Sequence, residues 1–300
     1  MTEAERPVLS QVEGLDRELL RRFPLPEHPE DSDKEGRGRV LVIAGSRELA
    51  GAAYLAGIGG LRAGAGKLQI VTAASISGHL GIAIPEARVI GMEETEEGCL
   101  AAAAIEPVLQ WAEGAQAIVM GSGLQHGPPL EDLLDALLAA CLDKPLVLDA
   151  AVLGSLAPRA ETLRAWKGGS ILLPHAREMA RLLECDAQQV EADPLAAVRR
   201  AAAHFGAVSL VKGQYSYIAH PDGRAFRFEG GGVGLATSGS GDALAGIVGG
   251  LAARGADPLT AALWGVYLHG EAGRRLAKEV GRIGFLAREI LDKVPALMDD

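Results

Sequence analysis

A glycine-rich stretch at residues 229–254 combines tight turns, one acidic side chain and the start of an apolar helix. It contains Gly239-Ser240-Gly241-Asp242, followed by small apolar residues. Glycines let a backbone approach a ligand closely, and a helix start offers N–H groups and a positive dipole end to a phosphate. An aspartate repels phosphate, so Asp242 is better suited to deprotonate a hydroxyl that then attacks a phosphoryl group. The alternative is that Asp242 only caps the helix.

Polar residues also follow three other predicted strands. Residues 121–124 (GSGL) offer a floor of small side chains, His175 and Glu178 follow a second strand, and Lys212-Gly213 ends a third. Open α/β sheets bind ligands at the carboxyl ends of their strands, and lysine rarely ends an apolar strand without a partner. The alternatives are an exposed helix-start histidine, a first-turn carboxylate favoured by the helix dipole, and a plain Lys-Gly turn.

The elements that must position these residues alternate along the chain from residue 39. Short apolar runs predict buried strands at Arg39–Ala44, Lys67–Thr72, Ala117–Gly121, Pro145–Asp149, Ser170–Leu173 and Val208–Lys212. Helical periodicity lies near 51–63, 98–112, 129–142, 176–184, 194–205, 242–253, 258–279 and 284–297. Tyr217–Ala219 and Arg224–Phe228 read as a hairpin at the sheet edge. The pattern predicts an α/β protein whose mainly parallel sheet has helices on both faces.

Composition narrows the class of protein. The net charge is −10 and basic residues are scattered, so the footprint of a nucleic-acid binder is missing. Three separated cysteines (Cys99, Cys141 and Cys185) form no zinc pattern and indicate a reducing compartment. We see no signal peptide and no membrane span, and we expect a cytoplasmic protein without a membrane partner. Residues 1–38 are expected to form a lead-in helix and loop, within a single domain over residues 1–300.

The common phosphate-binding motifs are absent. Residues 64–67 (GAGK) lack the first glycine and the Ser/Thr of a P-loop, and no G-x-G-x-x-G follows the first strand. No G-x-S-x-G or H-E-x-x-H occurs either. We interpret residues 62–66 as close packing between a helix and a strand.

The ordered set of motifs resembles one family. GRVLVIAGS, GAAYLAGIGGLRAGAGKLQIVTA, GSGL, LLPHAREMARLL, LVKGQYS and GLATSGSGDALAGIVGGLAARG are similar, in this order, to the nucleotide-dependent NAD(P)H-hydrate dehydratases of the ribokinase-like fold. The resemblance covers about residues 34–296. It implies a lyase that repairs hydrated NADH or NADPH (NADHX or NADPHX), with ADP more expected than ATP as co-substrate.

The resemblance also implies roles for single residues. Ala52, Gly123 and His175 would contact the hydrate, and Asp242 would touch its reacting hydroxyl. The residues that would contact the nucleotide are Lys212, Gly213, Gln214, Tyr215, Ser216, Gly239, Ser240 and Gly241.

The chain departs from the family pattern in three places. Ala176-Arg177 replaces the usual Pro-Gly between His175 and Glu178, Ser240 replaces a threonine, and Gly231-Gly232 replaces a Gly-Asn pair. His175, Glu178 and the Ser240 hydroxyl are therefore kept, whereas one side-chain amide is lost.

The chemistry of the hydrate fits these residues. Phosphorylating the C6 hydroxyl makes a good leaving group, which the ring nitrogen lone pair then expels. Asp242 is the expected base, the N–H groups of Gly239 to Asp242 are the expected anion hole, and Glu178 is expected to help hold Mg²⁺ through water.

Two other functions fit the same motifs, and the first of them shares these early steps. A small-molecule kinase of the same fold, such as a hydroxyethylthiazole or sugar kinase, would release a phosphorylated product. A nucleotide sensor would bind without turnover. The resemblance further implies an NAD(P)H-hydrate epimerase on a separate chain as the functional partner, and a homo-oligomer, by analogy a tetramer.

Overall fold

A computed structural model describes residues 12–27, 29 and 33–299 of the chain. These residues form ten strands: β1 Val12–Gly14, β2 Arg39–Ile43, β3 Lys67–Ala73, β4 Ala87–Met92, β5 Ala117–Met120, β6 Leu146–Leu148, β7 Ser170–Leu172, β8 Val208–Val211, β9 Tyr215–Ala219 and β10 Ala225–Glu229. All ten lie in one sheet, in the order β1-β10-β9-β8-β7-β6-β5-β2-β3-β4.

The sheet is parallel from β8 to β4 and mixed at its other end. β2 lies between β3 and β5, with Val40 opposite Leu68 on one side and Ala117 on the other. β9 runs antiparallel to both β8 and β10, whereas β1 pairs parallel with β10. The predicted central, mainly parallel sheet is therefore confirmed.

Twelve α-helices of the described residues surround this sheet: α1 Arg17–Leu20, α2 Ala50–Arg62, α3 Ala74–Ala83, α4 Ile105–Glu113, α5 Pro128–Ala140, α6 Ala160–Arg164, α7 Ala176–Leu182, α8 Ala187–Ala192, α9 Pro194–Phe205, α10 Ser240–Ala253, α11 Pro258–Glu279 and α12 Ala287–Asp299. Asp257 caps α11 by accepting hydrogen bonds from the amides of Leu259 and Thr260, and Pro258 is its first residue, as predicted. Within residues 12–27, 29 and 33–299, none of the helices combines the length and apolar character that crossing a membrane requires.

The alternation of side chains along each strand creates two cores. In β2, Val40 and Val42 pack with α2, α10, α11 and α12 on one face. Leu41 and Ile43 pack with α4, α5, α7 and α9 on the other. Because both faces are covered, the central parallel strands consist mostly of apolar residues, which is the pattern that predicted them.

Glycines bring α2 and α10 into unusually close contact. A Cβ at Gly246 would lie 2.1 Å from the Ala56 carbonyl oxygen, and one at Gly250 would lie 2.4 Å from that of Gly60. Residues 62–66 are closely packed, but against the loop before β2: a Cβ at Gly66 would lie 2.0 Å from the Lys34 carbonyl oxygen. The close contact between α2 and α10 fixes the position of α10 along the sheet, and so the place where its first turn meets the sheet.

The N-terminal segment and the hairpin differ from expectation. The lead-in contains β1 as well as the short α1, and β1 covers the outer side of β10. The β9–β10 hairpin exists, but it is therefore not at the sheet edge. The interpretations of residues 1–11 and 30–32, including the absence of a signal peptide, lie outside the described residues.

Sequence reasoning also missed β4, the three helices α3, α6 and α8, and the 3-10 turns Ala150–Ser155 and Ala157–Arg159. β4 is only half-buried, and α3 (ASISGHLGIA) carries small residues and two glycines rather than a clear apolar stripe. Such segments lack the periodicity from which a helix or strand is predicted.

Candidate active site

Four neighbouring strands bring polar groups to one edge of the sheet. β5, β6, β7 and β8 lie side by side in that order, and they lead into Ser122, Asp149, His175 and Lys212. Their parallel direction places these ends at the edge where open α/β sheets bind ligands. The first turn of α10 adds Asp242, whose carboxyl lies within the electrostatic influence of Asp149 and Lys212.

Lys212 is held by a buried carboxylate. Its Nζ lies 3.0 Å from Oδ1 of Asp149, whose side chain is only 3% exposed. Burial raises the pKa of Asp149, and the Lys212 ammonium opposes that rise. Asp149 is thus the partner that we expected for a lysine at the end of an apolar strand. From the sequence, Asp149 was only the last residue of the predicted strand Pro145–Asp149, and no functional role was predicted for it.

Asp242 is not the cap of α10. Gly239 is the N-cap with φ of 87°, in the left-handed region, and Asp242 is the third helical residue. The capping alternative is therefore wrong. Burial, and then the charge of Asp149, raise the pKa of Asp242 to about 6, against the opposing effects of Ser122 and Lys212. A carboxyl with this pKa is a base near neutral pH and remains basic enough to take a proton.

Gly241 allows the base and the Lys212–Asp149 pair to come together. A Cβ at this position would lie 3.3 Å from Nζ of Lys212 and 3.7 Å from Oδ2 of Asp149. The Ser240 amide donates to the Thr237 carbonyl over 3.2 Å. Among the four amides of the expected anion hole, the Ser240 amide is therefore already hydrogen-bonded, and the anion hole itself stays a prediction.

His175 and Glu178 form a reciprocal cap at the start of α7. Nδ1 of His175 accepts from the amides of Arg177 (3.1 Å) and Glu178 (3.3 Å), while Oε2 of Glu178 accepts from the His175 amide over 2.8 Å. Nδ1 of His175 thus serves as the acceptor for the first amides of α7. Both residues therefore have the structural role of the alternative interpretation, and the His175 side chain is 52% exposed.

A large cavity of about 910 Å³ lies beside this centre. Of the predicted nucleotide residues it is lined by Lys212, Gly213, Gln214, Ser216, Ser240 and Gly241. We call it the nucleotide cavity. Tyr215 and Gly239 are not in its lining: the Tyr215 ring is stacked by the Arg227 guanidinium, and Gly239 turns the chain against Leu55.

Two other residues that the sequence analysis singled out line the nucleotide cavity. His175 lines it, although the resemblance assigns His175 to the hydrate, so the histidine lies where both ligands would approach. Gly232, one of the two glycines that depart from the family pattern, also lines it, with φ of 72° and open space around its Cβ position.

Ala52 and Gly123 touch each other on the opposite side of the centre. A Cβ at Gly123 would lie 2.7 Å from the Ala52 Cβ and 2.8 Å from the Leu49 carbonyl oxygen, and the φ of Gly123 is 66°. Only glycine fits there. The structure thus joins the two segments from which a hydrate contact was predicted, next to Ser122 and on the side away from the nucleotide cavity.

The carboxylates at the centre suit a cation that is held mainly by a ligand. Among the described residues, no group of three or more His, Cys, Asp or Glu side chains is arranged to hold a metal ion. Glu178 is partly exposed (15%) and close enough to raise the pKa of Asp242. One such carboxylate fits Mg²⁺, which keeps several waters and phosphate oxygens in its shell.

His269 is a second residue that sequence reasoning missed. It lies on α11 and lines the nucleotide cavity. Its Nε2 lies 2.9 Å from Oγ and 3.1 Å from the carbonyl oxygen of Ser240. Burial lowers the pKa of His269 to about 4, with a smaller contribution from Lys212. A lone histidine within a long helix carries no signal of this contact, which only the α10–α11 packing creates.

Comparison with solved structures identifies the fold class. A ribokinase-like superfamily protein from Enterococcus faecalis matches with a TM-score of 0.82 at 27% identity, covering 96% of this chain and 95% of that one. An ADP/ATP-dependent NAD(P)H-hydrate dehydratase from Bacillus subtilis, co-crystallized with ATP and Mg²⁺, matches with a TM-score of 0.81 at 29% identity, covering 97% and 99%. This is a ribokinase-like α/β protein with an acidic centre beside a nucleotide-sized cavity.

Sequence comparison then gives the family. The family model for NAD(P)H-hydrate dehydratase matches residues 40–296, and the chain belongs to this family. The ADP-dependent (S)-NAD(P)H-hydrate dehydratase of Xanthomonas campestris is 45% identical over 93% of this chain and 94% of its own length. The bifunctional NAD(P)H-hydrate repair enzyme of Moorella thermoacetica is 36% identical over 92% of this chain, which spans 52% of that protein. The predicted family is confirmed.

The kinase alternative has weaker support. A hydroxyethylthiazole kinase from Pyrococcus horikoshii matches with a TM-score of 0.57 at 20% identity. At that identity the match shows a shared fold alone.

Proposed function

We propose that this chain dehydrates the S form of NADHX and NADPHX, with ADP as co-substrate and ATP as the alternative. The observation that carries the proposal is Asp242, a carboxyl whose raised pKa of about 6 suits a base. It lies in the first turn of α10, which also gives Ser240 and Gly241 to the lining of the nucleotide cavity, and its carboxyl is hydrogen-bonded to Ser122, the neighbour of Gly123. The relatives named above as ADP-dependent dehydratases support the same substrate and nucleotide.

The reaction can be written as two steps. Asp242 takes the proton of the C6 hydroxyl, the oxygen attacks the terminal phosphoryl group of ADP, and the bond to the departing AMP breaks. The ring nitrogen lone pair then expels phosphate from C6, and loss of a C5 proton restores the dihydronicotinamide. The site therefore needs a base, a binding place for phosphate and a cleft that excludes water.

Neighbouring groups have matching tasks in this proposal. The Lys212 ammonium would contact the transferred phosphoryl group, and Asp149 would hold it in place across 3.0 Å. The amides of Gly241 and Asp242 would receive negative charge at the start of α10. Mg²⁺ supplies charge neutralisation of the phosphates when it is bound, and Glu178 is the residue that would hold it, through water.

The predicted contacts divide between two ligands. We propose that Lys212 to Ser216, with Gly241, bind the nucleotide and that Ala52 and Gly123 bind the hydrate. Because His175 lines the nucleotide cavity, we propose that its exposed ring edge lies where the two ligands meet.

The decisive assay is turnover of purified hydrate. The protein, Mg²⁺ and either ADP or ATP are mixed with the S form of NADHX, and the ultraviolet absorbance of the dihydronicotinamide is followed. We expect NADH, AMP and phosphate in equal amounts with ADP. A stable phosphorylated product without NADH would favour the kinase. Nucleotide binding without any turnover would favour the sensor.

Wider context is part of the same proposal. We propose a single functional domain over residues 1–300, a cytoplasmic location supported by three unpaired cysteines, and an epimerase on a separate chain that supplies the S form. We also propose a homo-oligomer, supported by apolar side chains such as Ile82, which is 84% exposed beside the edge strand β4. Light scattering in solution tests that last point.

A further inference from the structure

A second cavity lies beyond the touching pair Ala52–Gly123. Its volume is about 310 Å³, at the lower end of the range of roughly 300–1,000 Å³ that small-molecule sites occupy. Leucine side chains form its walls, and Ser46, Glu97 and His126 supply polar groups. We call it the Glu97 cavity.

The Glu97 cavity continues the proposed hydrate site. Its lining includes Leu124, the residue directly after Gly123, and Ser46, from the loop between β2 and α2 that leads to Ala52. In the sheet, β5 and β2 lie on the opposite side of β6 from β8, which leads into the nucleotide cavity. Neighbouring strands are about 4.8 Å apart, so the two cavities open at different positions along the sheet edge and share no lining residue.

The hydrate is a dinucleotide, so it needs a second binding pocket in addition to the place of its reacting ring. The reacting ring of the hydrate must lie at Asp242, and the cavity at Lys212–Ser216 is required for ADP. With the nucleotide cavity taken by ADP, the adenosine half of the hydrate needs another pocket, and Leu124, which directly follows Gly123, lines the Glu97 cavity.

The charge of this cavity discriminates between the two hydrates. Among the described residues that line it, there is no lysine or arginine, and Glu97 is its one carboxylate. Arg47 is nearby in the chain fold, but its guanidinium is paired with Glu94 over 2.7 Å and with the Glu96 carbonyl over 2.8 Å. Hydrogen bonding by Thr95 and by its own backbone amide lowers the pKa of Glu97, so it stays ionised.

A carboxylate and a phosphate monoester select opposite ligands. In dinucleotide sites a carboxylate accepts from the ribose hydroxyls of NAD, whereas NADP needs an arginine for its 2′-phosphate. Glu97 lies in a tight turn, in which the Gly98 amide donates to the Thr95 carbonyl (2.9 Å) and the Thr95 amide to the Cys99 carbonyl (2.8 Å). Its carboxylate is exposed and accepts hydrogen bonds from the Thr95 side chain and its own backbone amide.

We propose that the Glu97 cavity binds the adenosine half of the hydrate, that Glu97 accepts a ribose hydroxyl there, and that the enzyme consequently prefers NADHX to NADPHX. This inference rests on the proposed dehydratase function. It assigns a specificity-determining residue on the loop after β4, far in sequence from every motif that predicted the active site.

The test compares two neighbouring glutamates. Glu97→Gln and Glu97→Lys change the cavity, whereas Glu96→Lys makes the same charge change outside the lining. kcat/KM is measured for NADHX, for NADPHX and for hydrated NMNH, which lacks the adenosine half. We expect the wild type to favour NADHX, Glu97→Lys to lower the NADHX/NADPHX ratio about tenfold or more, on the scale of one charged hydrogen bond, and Glu96→Lys to leave it unchanged.

Other results would overturn the inference. They are a wild type that favours NADPHX, equal effects of Glu96→Lys and Glu97→Lys, or an equal change with hydrated NMNH. Calorimetric binding of NADH and NADPH to the same variants separates this inference from the proposed function. Preference for NADH that Glu97→Lys abolishes supports the cavity even without turnover, whereas equal binding throughout rejects it even when turnover is found.

Discussion

Asp242 is the residue on which the proposed chemistry depends. We expect the Asp242→Asn variant to keep the fold and the nucleotide affinity of the wild type. Its kcat should be lower by roughly two to four orders of magnitude, the usual effect of losing a general base. Because the pKa of Asp242 is about 6 and the ionised form is the base, wild-type kcat should fall as the pH decreases through that value. A pH–rate profile checks both points, and a variant with near-normal turnover would reject Asp242 as the base.

The same raised pKa has a cost in stability. The folded-state pKa of about 6 exceeds the ordinary value of 3.8, so ionisation favours the unfolded chain. Below the ordinary pKa, Asp242 is protonated in both the folded and the unfolded protein, and the free energy of unfolding is unaffected. Above the folded-state pKa, ionisation of Asp242 lowers the free energy of unfolding by its full amount, at most about 3 kcal/mol at about 1.4 kcal/mol per pKa unit. Asp242→Asn should therefore raise Tm at neutral pH and lose this advantage as the pH decreases toward the lower value.

Thermal unfolding of the two proteins across that pH range measures the effect. The inactive variant would then be the more stable one, as expected where an active site strains its scaffold. A variant that is less stable than wild type at neutral pH would show that Asp242 makes a stabilising contact instead.

We expect the Lys212–Asp149 pair to contribute both to the stability of the fold and to nucleotide binding. We expect Lys212→Met to lower the free energy of unfolding by about 3–5 kcal/mol, because it leaves a buried charge unpaired. It should also weaken ADP binding. In Lys212→Met/Asp149→Leu the stability should largely return, since no buried charge remains, while the weak ADP binding should persist.

Chemical denaturation of the single and double variants measures the contribution to stability, and calorimetry measures the contribution to ADP binding. If the double variant regained both stability and ADP affinity, Lys212 would not bind the nucleotide. In that case its single role would be to neutralise Asp149.

At the scale of elements, the α2–α10 contact sets the position of the base. In Gly246→Ala the new Cβ would lie 2.1 Å from the Ala56 carbonyl oxygen, so the helices must separate. We expect a loss of stability of about 1–3 kcal/mol or more together with reduced kcat, because α10 carries Asp242. Gly78→Ala in α3 is the control: its Cβ meets nothing within 4 Å, and it should stabilise by about 0.4–1 kcal/mol.

Unfolding curves and kcat are compared for the two variants. Equal stability of Gly246→Ala and Gly78→Ala would show that the helices do not depend on this close approach. Loss of stability without any change in kcat would show that the helix contact does not position Asp242.

The elements that sequence reasoning found are those with strong local signals. Six buried strands and the long helices follow from apolar runs and caps, such as Asp257 before Pro258. Asp242, Lys212 and Gly123 follow from the small-residue motifs around them. In contrast, β1 is a strand only because β10 offers an open edge, and Asp149 and His269 matter only through contacts across the fold. Such long-range effects leave no pattern within a short window of sequence.

At the scale of the whole molecule, the proposed sites for the two ligands and the proposed base all lie at one edge of the sheet. The nucleotide cavity lies at the end of β8, the Glu97 cavity lies beyond β5 and β2, and Asp242 enters between them from α10. The parallel strands fix the order of these sites, and the hairpin β9–β10 closes the nucleotide side. This arrangement explains how a kinase-like scaffold can phosphorylate a hydroxyl and retain the product until phosphate leaves.

The central claim is that the C6 oxygen of the hydrate is phosphorylated before it leaves. Since the hydrate forms by addition of water, its hydroxyl can be labelled with ¹⁸O, and the labelled hydrate is converted with unlabelled ADP in ordinary water. The proposed mechanism predicts one ¹⁸O atom in each phosphate released per NADH formed, and none in AMP, by mass spectrometry. Unlabelled phosphate, with the ¹⁸O recovered in water, would contradict the account.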